Sequence, residues 1–212
     1  MKGVTFGRYH SYNDFNLILT GKEIGSAVVK TNYVDVDGAH GHIDYTEYFG
    51  EPKYSSRSLS FKFNTIVNQF EFLTLYSKIQ DALHGKRMKI VLDDDSGYYY
   101  MGRIEVSAFT NDKNIGQISI DCTCEPWKYR KDKTVITKDV SSSATITLVN
   151  SRKKVVPSIT TTASMTIVYD GISTTVNAGT FTIPTLELAE GNNSVMVTGT
   201  GNITFTYQEG GL

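Results

Sequence analysis

Side-chain alternation with a period of two runs through most of this 212-residue chain. It predicts a mostly β protein with one α-helix in its first domain. Three observations carry that expectation. Val34-Asp35-Val36-Asp37 and Leu59-Ser60-Phe61-Lys62-Phe63 alternate as strands with one buried face do. Apolar residues at three- and four-residue intervals occur in one convincing stretch, about residues 66–84. From Asp139 onward Lys and Arg thin out, and Thr, Ser, Asn, Gly and Val take over, in short strands separated by turn formers. The domain expectation is therefore 1–130, a charged linker at 131–138, and a β-sandwich at 139–212.

Along residues 1–30, Phe15-Asn16-Leu17-Ile18-Leu19 and Ala27-Val28-Val29 predict two early strands. The Asp14-Phe15 pair falls in the first of them, and His10 is expected on the surface. Residues 28–63 follow, rich in turn formers and poor in apolar bulk. Gly38, Gly41, Gly50 and Pro52 punctuate them, and Tyr45, Tyr48, Phe49 and Tyr54 form an aromatic fringe that one hairpin cannot bury by itself. The stretch reads as a projecting β-arm that needs something to pack against.

The helical stripe reads Ile66, Phe70, Leu73, Tyr76, Ile79 and Leu83, widened by Phe72, Leu75 and Ala82. Asn64 or Thr65 is placed to cap its start and Gly85 to end it. Residues 88–92 and 98–106 flank Asp93-Asp94-Asp95-Ser96-Gly97, which predicts a hairpin with an acidic tip. An alternating strand follows over 116–124, stopped by Pro126 beside the single tryptophan, Trp127.

Composition narrows the function. Hydrophobic residues make up 40%, charged residues 20%, and the formal net charge is −1, which argues against a dedicated nucleic-acid binder. No run of about 18 apolar residues is present, so no membrane partner is implied. The first fifteen residues lack the apolar segment of a secretory signal, so synthesis is expected in the cytoplasm. The two cysteines, Cys122 and Cys124, alternate on one strand face and read as small buried hydrophobes.

His40-Gly41-His42-Ile43-Asp44 has a spacing that would converge on a metal from one strand face. Metallo-β-lactamase-like hydrolases continue with a second histidine where this chain has Tyr45, and only His84 follows. A solvated turn with Asp44 bonded to backbone amides is the favoured reading, and no metal or cofactor is assigned. The Asp93–Asp95 run lacks the glutamate at position twelve of a calcium loop, where Ile104 stands. No nucleophile elbow, phosphate-binding loop or dinucleotide fingerprint is present, and no catalytic residue is assigned.

The order Asp35-Val36-Asp37-Gly38, then Gly41-His42-Ile43-Asp44-Tyr45-Thr46, then Tyr54-Ser55-Ser56-Arg57-Ser58-Leu59-Ser60-Phe61 resembles the amino-terminal domain of the siphovirus distal tail protein family. Asp14-Phe15-Asn16-Leu17 is similar to that family's opening D-F-G-L, with asparagine in place of glycine. Cys124-Glu125-Pro126-Trp127-Lys128-Tyr129 resembles the close of its first domain. Residues 188–207 are similar to the closing hairpin of its galectin-like second domain. The resemblance implies a ring-forming sandwich or split-barrel domain with a β-arm, followed by a small galectin-like or jelly-roll sandwich.

Its functional implication is architectural, not enzymatic. It implies a homo-hexameric hub in the virion tail of a phage or prophage, joining the tail tube to the host-adsorption device. Tail-tube, tape-measure and tail-tip or receptor-binding proteins are the implied partners, with DNA in transit and not specifically bound. Tyr33, Asp44, Tyr45, Tyr48, Phe49, Tyr54 and Arg57 are the expected subunit-contact residues. Tyr98-Tyr99-Tyr100 puts aromatics on both faces of a strand, and a subunit contact is the expected use of one face. The alternative function is a carbohydrate-binding module, with the second domain recognising host-surface glycan.

Overall fold

The structure is a computed structural model that describes residues 2–48, 50–66, 69–112 and 115–212. The chain is mostly β, as the alternation predicts, and divides into two compact units between Lys128 and Tyr129.

The first unit runs β1 (Val4–Phe6), β2 (Tyr9–His10), α1 (Ser11–Phe15), β3 (Ile18–Ile24), β4 (Val29–Lys30), β5 (Tyr33–Asp35), β6 (His42–Asp44), β7 (Lys53–Tyr54), β8 (Arg57–Ile66), α2 (Gln69–Leu83), β9 (Arg87–Leu92), β10 (Tyr98–Asp112) and β11 (Ile115–Arg130). Its main sheet has the order β2-β1-β9-β10-β11-β8-β3. Long-range antiparallel pairing holds it together: β11 pairs β8 from Ile115–Ile66 to Cys124–Arg57, and β3 pairs β8 through a bulge between Leu19 and Gly21. Leu59, Phe61 and Phe63 of β8 and Ile118, Ile120 and Cys122 of β11 point into one core with Phe6, where the Phe6 and Phe61 rings meet edge to face at 5.8 Å. Burial at roughly 1.5–3 kcal/mol for each large side chain makes this core the main support of the unit.

Helix α2 starts later than its periodicity suggests, because β8 continues through Asn64, Thr65 and Ile66. Thr65 is fully buried in the sheet and is no helix cap. The buried stripe is Phe72, Ile79, Ala82 and Leu83, while Leu73 is 66% exposed. Phe72 stacks on Phe109 with centroids 3.9 Å apart, and it leaves so little room over β11 that a Cβ on Gly116 would come within 1.6 Å of its ring. Gly85 (φ 72°) ends the helix in the left-handed region, as expected.

Two other expectations are corrected here. Asp14 and Phe15 lie in α1 and not in a strand, and the helix stops at Asn16 in the left-handed region (φ 53°). That conformation suits glycine or asparagine, which explains the asparagine at this position. Strand β11 does not stop at Pro126 but runs to Arg130. Proline is tolerated there because it lies beyond the last β8 pair, Cys124–Arg57.

The second unit contains β12 (Thr134–Val140), β13 (Ser143–Asn150), β14 (Ser158–Thr161), β15 (Met165–Tyr169), β16 (Ile172–Val176), β17 (Gly179–Thr182), β18 (Gly191–Gly199), β19 (Gly201–Tyr207) and β20 (Gly210–Gly211). Two four-stranded sheets, β12-β19-β14-β17 and β13-β18-β15-β16, face each other. Ile159, Ile203 and Phe205 come from one, and Leu148, Ile167, Val195 and Val197 from the other. The expected linker at 131–138 is largely strand: β12 pairs β19 from Thr134–Tyr207 to Val140–Gly201. Its charged residues misled because only Ile136 and Val140 pack on the core: Lys138 shares their face but stays exposed on this edge strand, and Asp139 lies on the opposite face. Glu209, 7% exposed, closes the unit by accepting from Arg130, Thr134 and Ser151 at 2.8, 2.5 and 2.7 Å.

Candidate functional site

The arm between β3 and β8 is built from two short ladders. At its root β4 pairs β7, Val29 with Tyr54 and Lys30 with Lys53. Farther out β5 pairs β6, with Tyr33–Asp44, Val34–Ile43 and Asp35–His42 opposite each other. Bonds between Tyr45 N–H and Asn32 C=O (2.8 Å) and Asn32 N–H and Thr46 Oγ1 (3.0 Å) join the two ladders. Asp44 Oδ1 accepts Thr46 N–H at 2.8 Å, the turn role expected of it. The Thr46 hydroxyl and amide hold the Asp44 carboxyl below its ordinary value. At the tip, Gly38 (φ 83°) and Gly41 (φ 76°) adopt conformations that side chains resist.

Directly opposed residues of an antiparallel pair share a face, so the outer ladder has two unlike faces. Tyr33, Asp35, His42 and Asp44 share one; there His42 Nδ1 lies 3.1 Å from Asp35 Oδ1, and its ring lies 5.3 Å from that of Tyr33. Val34 and Ile43 lie on the other. These two are 42% and 47% exposed, and Val36 beyond them is 44% exposed. A two-stranded ribbon has no second layer of its own, and among the described residues this apolar face is left substantially exposed.

The expected contact residues divide by burial. Tyr33 is 53% and Tyr48 71% exposed, and Asp44 is exposed as well. Tyr45 is half-buried and meets the Tyr48 ring edge-on at 5.6 Å. Tyr54 is half-buried at the root, where its ring packs edge to face on Trp127 at 5.5 Å. Arg57 is a correction: it is only 7% exposed, its guanidinium lies 5.5 Å from the centre of the Tyr100 ring, and Nε has no hydrogen-bond partner. It lies at the arm's return into β8 and presents little surface. Phe49 lies outside the described residues.

Other sequence-marked groups are used inside the fold. Each aspartate of the 93–95 turn holds a different segment: Asp93 holds His10 and the Gly3 amide, Asp94 holds Lys22, and Asp95 holds Lys128. Burial works to raise the Asp93 carboxyl, but the bonds from His10 and Gly3 outweigh it and hold it low. His10 is thus a structural partner and not a plain surface residue. Tyr99 and Tyr100 are 8% and 5% exposed, with Lys89 over the Tyr99 ring, so both rings are covered within the chain rather than by a subunit contact. His84 Nδ1 accepts the Val106 amide at 3.1 Å. Both cysteines are buried, and burial pushes the Cys124 thiol up to about 12 and Cys122 higher still.

Comparison with solved structures finds the same fold in SPP1 Dit (gp 19.1), a protein presented as a paradigm of the hub adsorption apparatus in Gram-positive infecting phages. The two share a TM-score of 0.72 and 13% identity over 98% of this chain and 99% of that chain. No protein-family profile and no curated protein sequence matches the chain.

Proposed function

We propose that the protein is a structural component of a phage or prophage tail, the distal hub that joins the tail tube to the host-adsorption device. The observation that carries this reading is the likeness of fold to SPP1 Dit over nearly the full length of both chains. The motif resemblance in the arm and at 124–129 supports it from sequence. A homo-hexameric ring in the virion tail follows from the reading, with tube, tape-measure and tail-tip or receptor-binding proteins as axial partners and DNA in transit. A ring of identical subunits repeats one heterologous contact until the rotation closes, so each copy must offer two unlike patches. The apolar face of Val34, Val36 and Ile43, with Tyr33, Tyr45 and Tyr48 beside it, is our choice for one of them, and an identical neighbour is what covers it.

The second unit serves as a structural appendage in this reading. Its described aromatic rings, Tyr129, Tyr169, Phe181, Phe205 and Tyr207, are all buried or half-buried, and Tyr169 Oη donates to the Glu187 carbonyl at 3.1 Å. Stacking on sugar calls for an open ring face, so this arrangement weighs against the glycan-binding alternative. Negative-stain imaging of the purified protein tests the proposal. Rings with an open centre are expected; compact monomers at micromolar concentration would overturn it.

A further inference from the structure

An imidazole closes the amino-terminal end of α1. Nδ1 of His10 accepts the amide protons of Tyr12 and Asn13, both at 3.2 Å, so this nitrogen carries a lone pair and no proton. Nε2 lies 3.0 Å from Oδ2 of Asp93, an acceptor when ionised, so Nε2 carries the single ring proton. The backbone N–H of His10 donates to Asp14 Oδ2 at 2.6 Å, and Gly3 N–H donates to the same Asp93 oxygen at 2.7 Å. These contacts fit one state of the ring, the neutral imidazole protonated on Nε2.

We propose that His10 is a proton-sensitive latch on α1, closed while its ring is neutral and released when the ring takes up a second proton. That proton can go only to Nδ1, where it meets two N–H donors and no acceptor. Gly3 lies close against the ring on one side, where an added Cβ would approach Cε1 to 2.7 Å. The amides of Tyr12 and Asn13 give way instead, since helix amides at these positions depend on a cap for their partner.

Two carboxylates lie beside the histidine: Asp93 at its ring Nε2 and Asp14 at its backbone N–H. Arg8 faces Tyr9 Oη at 2.6 Å, Lys22 is held by Asp94, and Lys2 acts on Asp94. α1 also forms one wall of a groove of about 460 Å³, with Glu71, Leu75 and Lys78 of α2 opposite, and its release alters that wall.

The test uses nitrogen NMR of the full chain labelled at its four histidines, with the His10 signal assigned by its loss in His10→Asn, together with hydrogen exchange of the 11–16 segment. At pH 8 the His10 spectrum should show a bare Nδ1 and a protonated Nε2. Between pH 8 and 5, protection of the Tyr12 and Asn13 amides, corrected for intrinsic exchange, should fall about fivefold. His10→Asn, whose amide oxygen caps without titrating, should flatten that dependence. Asp93→Ala, which removes the acceptor facing Nε2, should change the tautomer seen at pH 8. A proton on Nδ1 at pH 8, protection that does not change with pH, or a pH dependence that survives His10→Asn overturns the proposal.

Discussion

Asn16, Gly116 and Glu209 show how much single positions contribute. Asn16 holds a left-handed turn that lets the chain leave α1 for β3. Gly116 lies under the Phe72 ring with no space for a methyl group. Gly116→Ala should destabilise the first unit by about 1–3 kcal/mol or more, read from urea melts followed by Trp127 fluorescence, because the ring or the strand must move. Glu209 is buried with three partners, and although burial raises its carboxyl, the bonds from Thr134, Ser151 and Arg130 prevail and hold it low. A carboxyl lowered by folding contributes stability that is present above the ordinary glutamate range, about 4.3, and is lost as pH falls through its folded value. Glu209→Ala should therefore cost the second unit about 2 kcal/mol at pH 7 and less at pH 3, checked by thermal melts at both values. Glu209 gave no sequence signal, since its partners lie 58 to 79 residues away, and the His10–Asp93 contact spans 83 residues.

Elements were legible where one local rule decided them and misread where a distant partner did. The arm's strand around Val34, the end of α2 at Gly85, and strands β13, β15 and β19 follow from alternation and turn chemistry, whereas His42–Asp44, expected in a solvated turn, pairs with Tyr33–Asp35 as β6. The start of α2 did not follow either, because pairing with β11 keeps residues 64–66 in β8 against their helical spacing. Strand β12 was missed since an edge strand with two inward residues looks like a charged linker. A consequence is testable with fragments. Residues 129–212 should fold cooperatively, whereas 139–212, which lacks most of β12, should lose the transition or melt well below it, as seen by circular dichroism. In the arm, Val34→Asp with Ile43→Asp should abolish higher assemblies in light scattering. The monomer's melting should change little, because both residues are already substantially exposed.

At the scale of the whole molecule, the sequence alone determined a mostly β chain, one central helix, a Thr-rich second sandwich and an arm with more apolar surface than it can cover. Those properties are written in local periodicity and composition, which neighbouring residues settle among themselves. Tertiary structure decided which residues of the arm stay exposed. Tyr33, Val34, Ile43 and Tyr48 stay exposed, Tyr54 turns to Trp127, and Arg57 sinks under Tyr100. It also put each acid of the 93–95 turn to structural use and placed the domain boundary before β12. The physical reason is common to all of these: burial and ion pairing depend on what lies across the sheet, and spacing along the chain carries no record of that neighbour.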